Sequence, residues 1–273
     1  MKKALLITVA AFAMTACTDK QATDNEGQTK SLVIYYSQTG ATQKVANILA
    51  EQTGADIDSI VAVNPYNGTF EETIARCQEE QQKGELTEIK ELSHDIANYD
   101  TLYVGTPVWF GTMAPPMASF IKKANLEGKV IIPFVTFGSG GLETTVTDMK
   151  KSQTKATFAE GYGVRNARID KAAAEVEQFL IDSNIKEGKA SVAPNFGEQK
   201  ALTDAEKAIF DEACGDYQMP LGTPITVASA KIGSRMSYIF VTDNKDKDGN
   251  TTQAQIHVSK EEGAKAEFTK VVR

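Results

Sequence analysis

The sequence predicts a doubly wound α/β sandwich built on a five-stranded parallel sheet, followed by a small α+β unit. Three observations carry this expectation. Between residues 31 and 183 short apolar runs alternate with amphipathic stretches, the pattern of parallel strands joined by crossover helices. Turns rich in glycine and hydroxyl side chains follow the first, third and fourth of these runs, and a sandwich of this kind binds ligands beyond the carboxyl ends of its strands. After residue 201 the pattern changes to one helical stretch and then runs of period two, which read as antiparallel strands.

In chain order, strands are expected at 32–36, 57–63, 101–105, 130–137 and 157–161, each a short run bounded by turn-forming residues. Helices are expected at 41–53, 70–83, 115–123, 143–150 and 170–183. Pro115-Pro116 opens the third of them, because the first helical turn has no use for the missing N–H. Residues 184–201, rich in Lys, Glu and Gly with Pro194-Asn195, lack a sustained period and read as a linker. Leu202-Thr203-Asp204 then carries a helix-capping signal. Strands follow at 224–230, 236–243 and 252–259, with Asp248-Gly249-Asn250 as the turn between the last two. Deleting the one-helix-plus-meander unit, residues 202–273, is expected to leave ligand affinity on the first unit nearly intact.

The 273 residues hold 36 acidic and 29 basic side chains, a net charge of -7, so the clustered Lys and Arg of a nucleic-acid footprint are not expected. Met1-Lys2-Lys3 followed by an apolar run to Ala16 has the charged start and short apolar middle of an export signal. At about 1.5 Å per residue such a helix falls short of a roughly 30 Å hydrocarbon core. The run ends Met14-Thr15-Ala16-Cys17, which resembles the lipobox of bacterial lipoproteins. That resemblance implies a signal peptide over 1–16, acylation of Cys17 and a membrane anchor in the cell envelope, on its periplasmic face or at the cell surface. A plain cleaved signal is the alternative. The polar stretch 17–30 reads as a tether. Cys77 and Cys214 remain, either paired in an oxidising compartment or as two buried thiols.

The chemistry is expected on three turns. In Ser37-Gln38-Thr39-Gly40-Ala41-Thr42 a strand ends and a helix begins, so free N–H groups and the helix dipole favour an anion, with Gly40 allowing a tight backbone. The lysine of nucleotide-hydrolysing loops and the spaced glycines of a dinucleotide fingerprint are absent. A phosphate monoester held by neutral donors fits this loop; a simply capped helix is the plainer reading. Pro107-Val108-Trp109-Phe110-Gly111 offers a polarisable indole that could stack on a flat ring, or equally a tryptophan buried between helix and sheet. Phe137-Gly138-Ser139-Gly140-Gly141 lets backbone amides approach a ligand closely. His94 and His257 lie far apart, without a Ser-His-Asp or metal-ligand spacing, and are read as structural.

These loops resemble those of the flavodoxin family, over residues 31 to 183. The first satisfies the Ser/Thr-x-Thr-Gly-x-Thr pattern that wraps the FMN phosphate without Lys or Arg. The run Gly105 to Pro116 and Asn64-Pro65-Tyr66 resemble a flavodoxin subgroup common in bacteria, and the glycine turn stands where the third flavin loop would be. The resemblance implies FMN as cofactor and electron transfer to a redox partner protein or a small acceptor. Two further readings stay open: an FMN-dependent NAD(P)H quinone reductase, and a surface binding module with an idle flavin fold. The C-terminal unit resembles a cystatin-like arrangement in element order only, since of the inhibitory Gln-x-Val-x-Gly turn only Gly233 has a counterpart.

Overall fold

The computed structural model describes residues 30–245 and 249–273; the expected signal segment, Cys17, the expected tether up to residue 29 and Asp248 lie outside the described residues. The first unit runs β1 (Ser31–Tyr35), α1 (Ala41–Thr53), β2 (Asp56–Ser59), α2 (Phe70–Lys83), β3 (Thr101–Trp109), β4 (Thr112–Met113), α3 (Pro115–Lys123), β5 (Val130–Phe137), α4 (Leu142–Ser152), β6 (Thr157–Phe158), β7 (Tyr162–Arg165) and α5 (Ala172–Asp182). Its parallel sheet has the order β2-β1-β3-β5, and β6 and β7 in turn occupy the fifth place beside β5. The chain winds outward in both directions from β1, so a crevice opens beyond the carboxyl ends of β1 and β3.

Both faces of this sheet are covered, which is why its central strands are continuously apolar. Successive residues point to opposite faces. Leu32, Ile34, Leu102, Val104 and Ile131 therefore enter one core, with Met117, Phe120 and Ile121 of α3. Val33, Tyr35, Tyr103, Ile132 and Phe134 enter the other, against Val45 and Leu49 of α1 and Val176 and Leu180 of α5.

Several boundaries differ from the sequence expectation, each for a local reason. The expected second strand stops at Ser59, after which a lone antiparallel bridge joins Ala62 to Ile89. The expected fifth strand is split into β6 and β7, and a 3₁₀ segment, Asn166–Lys171, precedes α5. Most consequential for the rim, β3 does not end at Gly105. It continues to Trp109 and reverses into β4 through Phe110-Gly111, with Trp109 paired to Thr112. Phe110 (φ 52°) and Gly111 (φ 83°) both have the positive φ that a tight two-residue hairpin turn demands.

The second unit contains β8 (Lys200–Ala201), α6 (Asp204–Cys214), β9 (Thr223–Ile232), β10 (Arg235–Lys245), β11 (Thr251–Glu261) and β12 (Glu267–Val272), in the antiparallel order β12-β11-β10-β9-β8. Thr203 and Glu206 close a reciprocal capping box at the start of α6, as the capping signal implied. Phe210 and Cys214 of α6 pack on Val227, Phe240, Ile256 and Phe268. Cys77 and Cys214 are free thiols buried in different cores, and burial pushes the Cys214 thiol up to about 12.

The sequence reading missed β12. A register shift at His257/Val258 leaves Thr269 unpaired opposite β11, so Phe268 and Val271, three apart, are both buried. The bulge destroys the period of two that would have marked the strand. β12 is hydrogen-bonded to the first unit: Val271 N donates to Ser139 O at 2.7 Å.

Candidate functional site

The first rim loop is stabilised from within the first unit. Gly40 precedes α1 in the left-handed region (φ 91°), a conformation that costs glycine little, and its N–H donates to Ser37 Oγ at 3.1 Å. The N–H groups of Ala41, Thr42 and Gln43 come before the first intrahelical bond, Lys44 N to Gly40 O at 2.9 Å. They form the positive end of the helix dipole. Gln38 Nε2 donates to Tyr66 O at 2.9 Å and ties the loop to the chain before α2. The Thr42 side chain is buried and its hydroxyl is bonded to Thr136 at 2.8 Å, because this position of the first helical turn faces the sheet. What it offers the rim is its backbone N–H.

On the second loop, Trp109 is half-buried against the α3 core and also lines the rim cavity. Tyr36 and Tyr66 brace it edge-on, with ring centroids at 5.9 and 5.3 Å. Tyr66 bonds to Glu80 and Thr87, and Arg76 lies 3.8 Å over its ring. Burial pushes Tyr36 up to about 12, and burial together with the Glu80 bond raises Tyr66, so both phenols are neutral at pH 7. Pro107 shapes the hairpin: its carbonyl accepts from Ala114 N at 3.2 Å.

The third loop is held from outside. Phe137 is buried at the end of β5. Gly138 O accepts from Arg165 Nε at 2.9 Å, and Arg165 Nη1 also donates to Phe268 O of β12 at 2.6 Å, with its guanidinium over the Phe268 and Tyr217 rings. A Cβ on Gly140 would lie 2.3 Å from Val271 O, and one on Gly141 (φ 116°) would lie 2.6 Å from Val108 Cγ1. Glycine is required at both places, at one by the approach of β12 and at the other by the second loop. Lys270 bonds Glu143 at 2.7 Å and, although burial pushes the other way, holds its carboxyl below the usual range.

All three loops open on one cavity of about 1030 Å³. Of the expected site residues, Gln38, Thr39, Val108, Trp109, Phe110, Gly111, Gly138, Ser139, Gly140 and Gly141 line it. Ser37 and Gln38 line a smaller adjoining recess of about 270 Å³, which shares Tyr66 and Asn67 with the main cavity. Gly40, Ala41, Thr42, Pro107 and Phe137 are not among the residues that line either space. Phe70, Met219, Val271, Val272 and Arg273 also line the cavity and were not foreseen. Phe70 opens α2 and could have been suspected as an exposed aromatic beside a rim loop; the others come from the C-terminal unit, whose approach no local pattern discloses.

A family model described as flavodoxin matches residues 30–180. The chain belongs to the flavodoxin family. Like other flavodoxins it offers FMN a cradle of neutral donors, and the residues present fit that cofactor: backbone N–H groups at α1 for a phosphate, and aromatic and glycine walls for a flat ring. Among similar proteins, an NAD(P)H dehydrogenase (quinone) of a Bradyrhizobium species is 35% identical over 132 residues, 43% of this chain and 62% of the relative. A namesake from Cupriavidus metallidurans is 33% identical over 131 residues, 43% of this chain and 62% of its own length. This flavodoxin thus spans about three fifths of the curated relatives it matches. A crystal structure of a proposed flavoprotein from Bacteroides eggerthii is similar at 25% identity and a TM-score of 0.52, covering 58% of this chain and all of that one.

Proposed function

We propose that this flavodoxin is an FMN-carrying redox protein of the cell envelope, tethered through a lipid on Cys17, that moves electrons to a partner protein or a small acceptor. The observation that carries the redox part is the convergence of three rim loops, one of them built on an unescorted helix N-terminus, on a single cavity beside Trp109. Bound FMN supplies the electron chemistry, taking up and releasing one or two electrons. The chain's own residues bind and bias it. The N–H groups at α1 hold the phosphate, and Trp109, braced by Tyr36 and Tyr66, presents a rigid aromatic surface. At pH 7 both phenols are neutral, and among the described residues of the lining the one acidic side chain, Glu143, is paired with Lys270. The tether is supported by the run Met14-Thr15-Ala16-Cys17.

A second reading, an FMN-dependent NAD(P)H quinone reductase, is favoured by the names of the relatives that are 33–35% identical. In that reaction a nicotinamide hydride donor is oxidised, and the quinone takes two electrons and two protons to become a hydroquinone. The test is to purify the protein from its host, record the visible flavin absorbance, and follow NADH and NADPH oxidation with and without a quinone. Bound flavin without donor oxidation supports the carrier, and bound flavin with quinone-dependent oxidation supports the reductase. A colourless protein that takes up no FMN on titration contradicts both.

A further inference from the structure

We infer that Arg76 and Glu80 of α2 are positioning residues for the cofactor, acting on it through Tyr66 and Trp109. The inference rests on the reading that FMN lies beside Trp109. It goes beyond that reading by assigning a role to two charged side chains that line neither the cavity nor the recess.

Their contacts converge on one ring. The Arg76 guanidinium lies 3.8 Å from the Tyr66 ring centroid. It is itself fixed at two places, Nε donating to Glu80 Oε1 at 2.8 Å and Nη1 to Pro65 O at 3.1 Å. A planar fork held this way presents its face in one orientation. The second Glu80 oxygen accepts from the Tyr66 hydroxyl and, at 3.1 Å, from Thr87 Oγ1. Burial and the Glu80 bond raise the Tyr66 phenol, so its proton stays available to Glu80. An apolar side chain could fill the same buried space; a polar network in which every member is bonded fixes an orientation as well.

Tyr66 passes this constraint to the rim. Its ring meets the Trp109 ring with centroids 5.3 Å apart and planes at 78°, and its carbonyl accepts from Gln38 Nε2 at 2.9 Å. One buried residue of the segment Asn64-Pro65-Tyr66 therefore touches both the first rim loop and the second. An aromatic face carries negative π density, which favours an oxidised flavin ring over the more electron-rich reduced one. By holding Trp109 in place, the two α2 side chains favour the oxidised cofactor.

The experiment uses the full chain with Arg76→Gln, Arg76→Lys and Tyr66→Phe. Two readouts are taken: the anisotropy decay of Trp109 in the apo-protein, and the two-electron midpoint potential of bound FMN. The fast component of the Trp109 decay is expected to grow in all three variants. Arg76→Gln is expected to weaken oxidised FMN about tenfold more than reduced FMN, which raises the potential by about 30 mV. Arg76→Lys is expected to behave like Arg76→Gln, because a point charge does not reproduce the stacked, doubly bonded plane. Tyr66→Phe removes only the hydroxyl anchor, so its shift is expected in the same direction and smaller, and it carries the test if Arg76→Gln does not fold. A potential that falls in Arg76→Gln and returns in Arg76→Lys would mean that Arg76 acts by its charge, and overturns the inference. Normal FMN binding with Trp109 motion and potential indifferent to the variants, even at lowered stability, overturns it alone. Failure of the wild type to bind FMN overturns the cofactor reading together with it.

Discussion

The first and third rim loops lie on the same sheet edge but are stabilised in opposite ways. The first is closed by bonds within the first unit: Ser37 to Gly40, Gln38 to Tyr66, and Thr42 to Thr136. The third also takes contacts from the second unit, with β12 on Ser139 O, Lys270 on Glu143, and Arg165 joining Gly138 O to Phe268 O. The difference teaches that one half of the rim is built within a single unit and the other across two. It also makes the C-terminal unit a structural component of the rim.

Breaking the external brace is expected to have the largest effect. Arg165→Met removes a half-buried guanidinium that serves two carbonyls from different units, at a cost of about 3 kcal/mol in unfolding free energy. Chemical denaturation measures this loss, and FMN affinity is expected to fall with it. Gly140→Ala is next. Its methyl group would meet Val271 O, so β12 must retreat, costing about 2 kcal/mol. Hydrogen exchange at Val271 is expected to accelerate while exchange in α1 stays unchanged.

On the first loop the expected effects are smaller and local. Thr42→Val breaks the buried bond to Thr136 for about 1 kcal/mol. It is expected to leave FMN affinity within about threefold, because the backbone N–H survives; a large loss would restore the hydroxyl as a phosphate ligand.

The brace also has a pH signature. Burial first, and then Lys270, push His257 down to about 4 from its ordinary 6.5. The unfolded chain therefore binds this proton more readily, so the stability is fully present above pH 6.5 and is lost as pH falls toward 4. On a partly exposed strand the effect is on the order of 1 kcal/mol. A melt series from pH 7 to 4 on the wild type and His257→Gln measures it, and the variant is expected to show the flatter profile.

The parallel sheet, its crossover helices and the Ser37 to Thr42 motif were legible because each is written in a contiguous stretch of the sequence. Continuous apolar runs reveal strands buried on both faces, and α1, α2, α3 and β5 begin and end where the pattern predicts. The Phe110-Gly111 hairpin was hidden because Pro107 suggested a loop, whereas its carbonyl joins the pairing with Ala114. β12 was hidden by the unpaired Thr269, and its docking on Ser139 depends on an encounter between residues 132 positions apart, which no local period encodes. Arg165 gave no signal, since a lone arginine after a short strand fits many roles.

The central claim is that a rim of neutral donors holds FMN beside the single tryptophan of the chain. Titrating apo-protein with FMN while recording Trp109 emission tests it most directly. Saturable quenching at one FMN per chain, with a dissociation constant of about 1 μM or tighter, is the expected result. Emission unchanged beyond optical absorption up to about 1 mM FMN would contradict it.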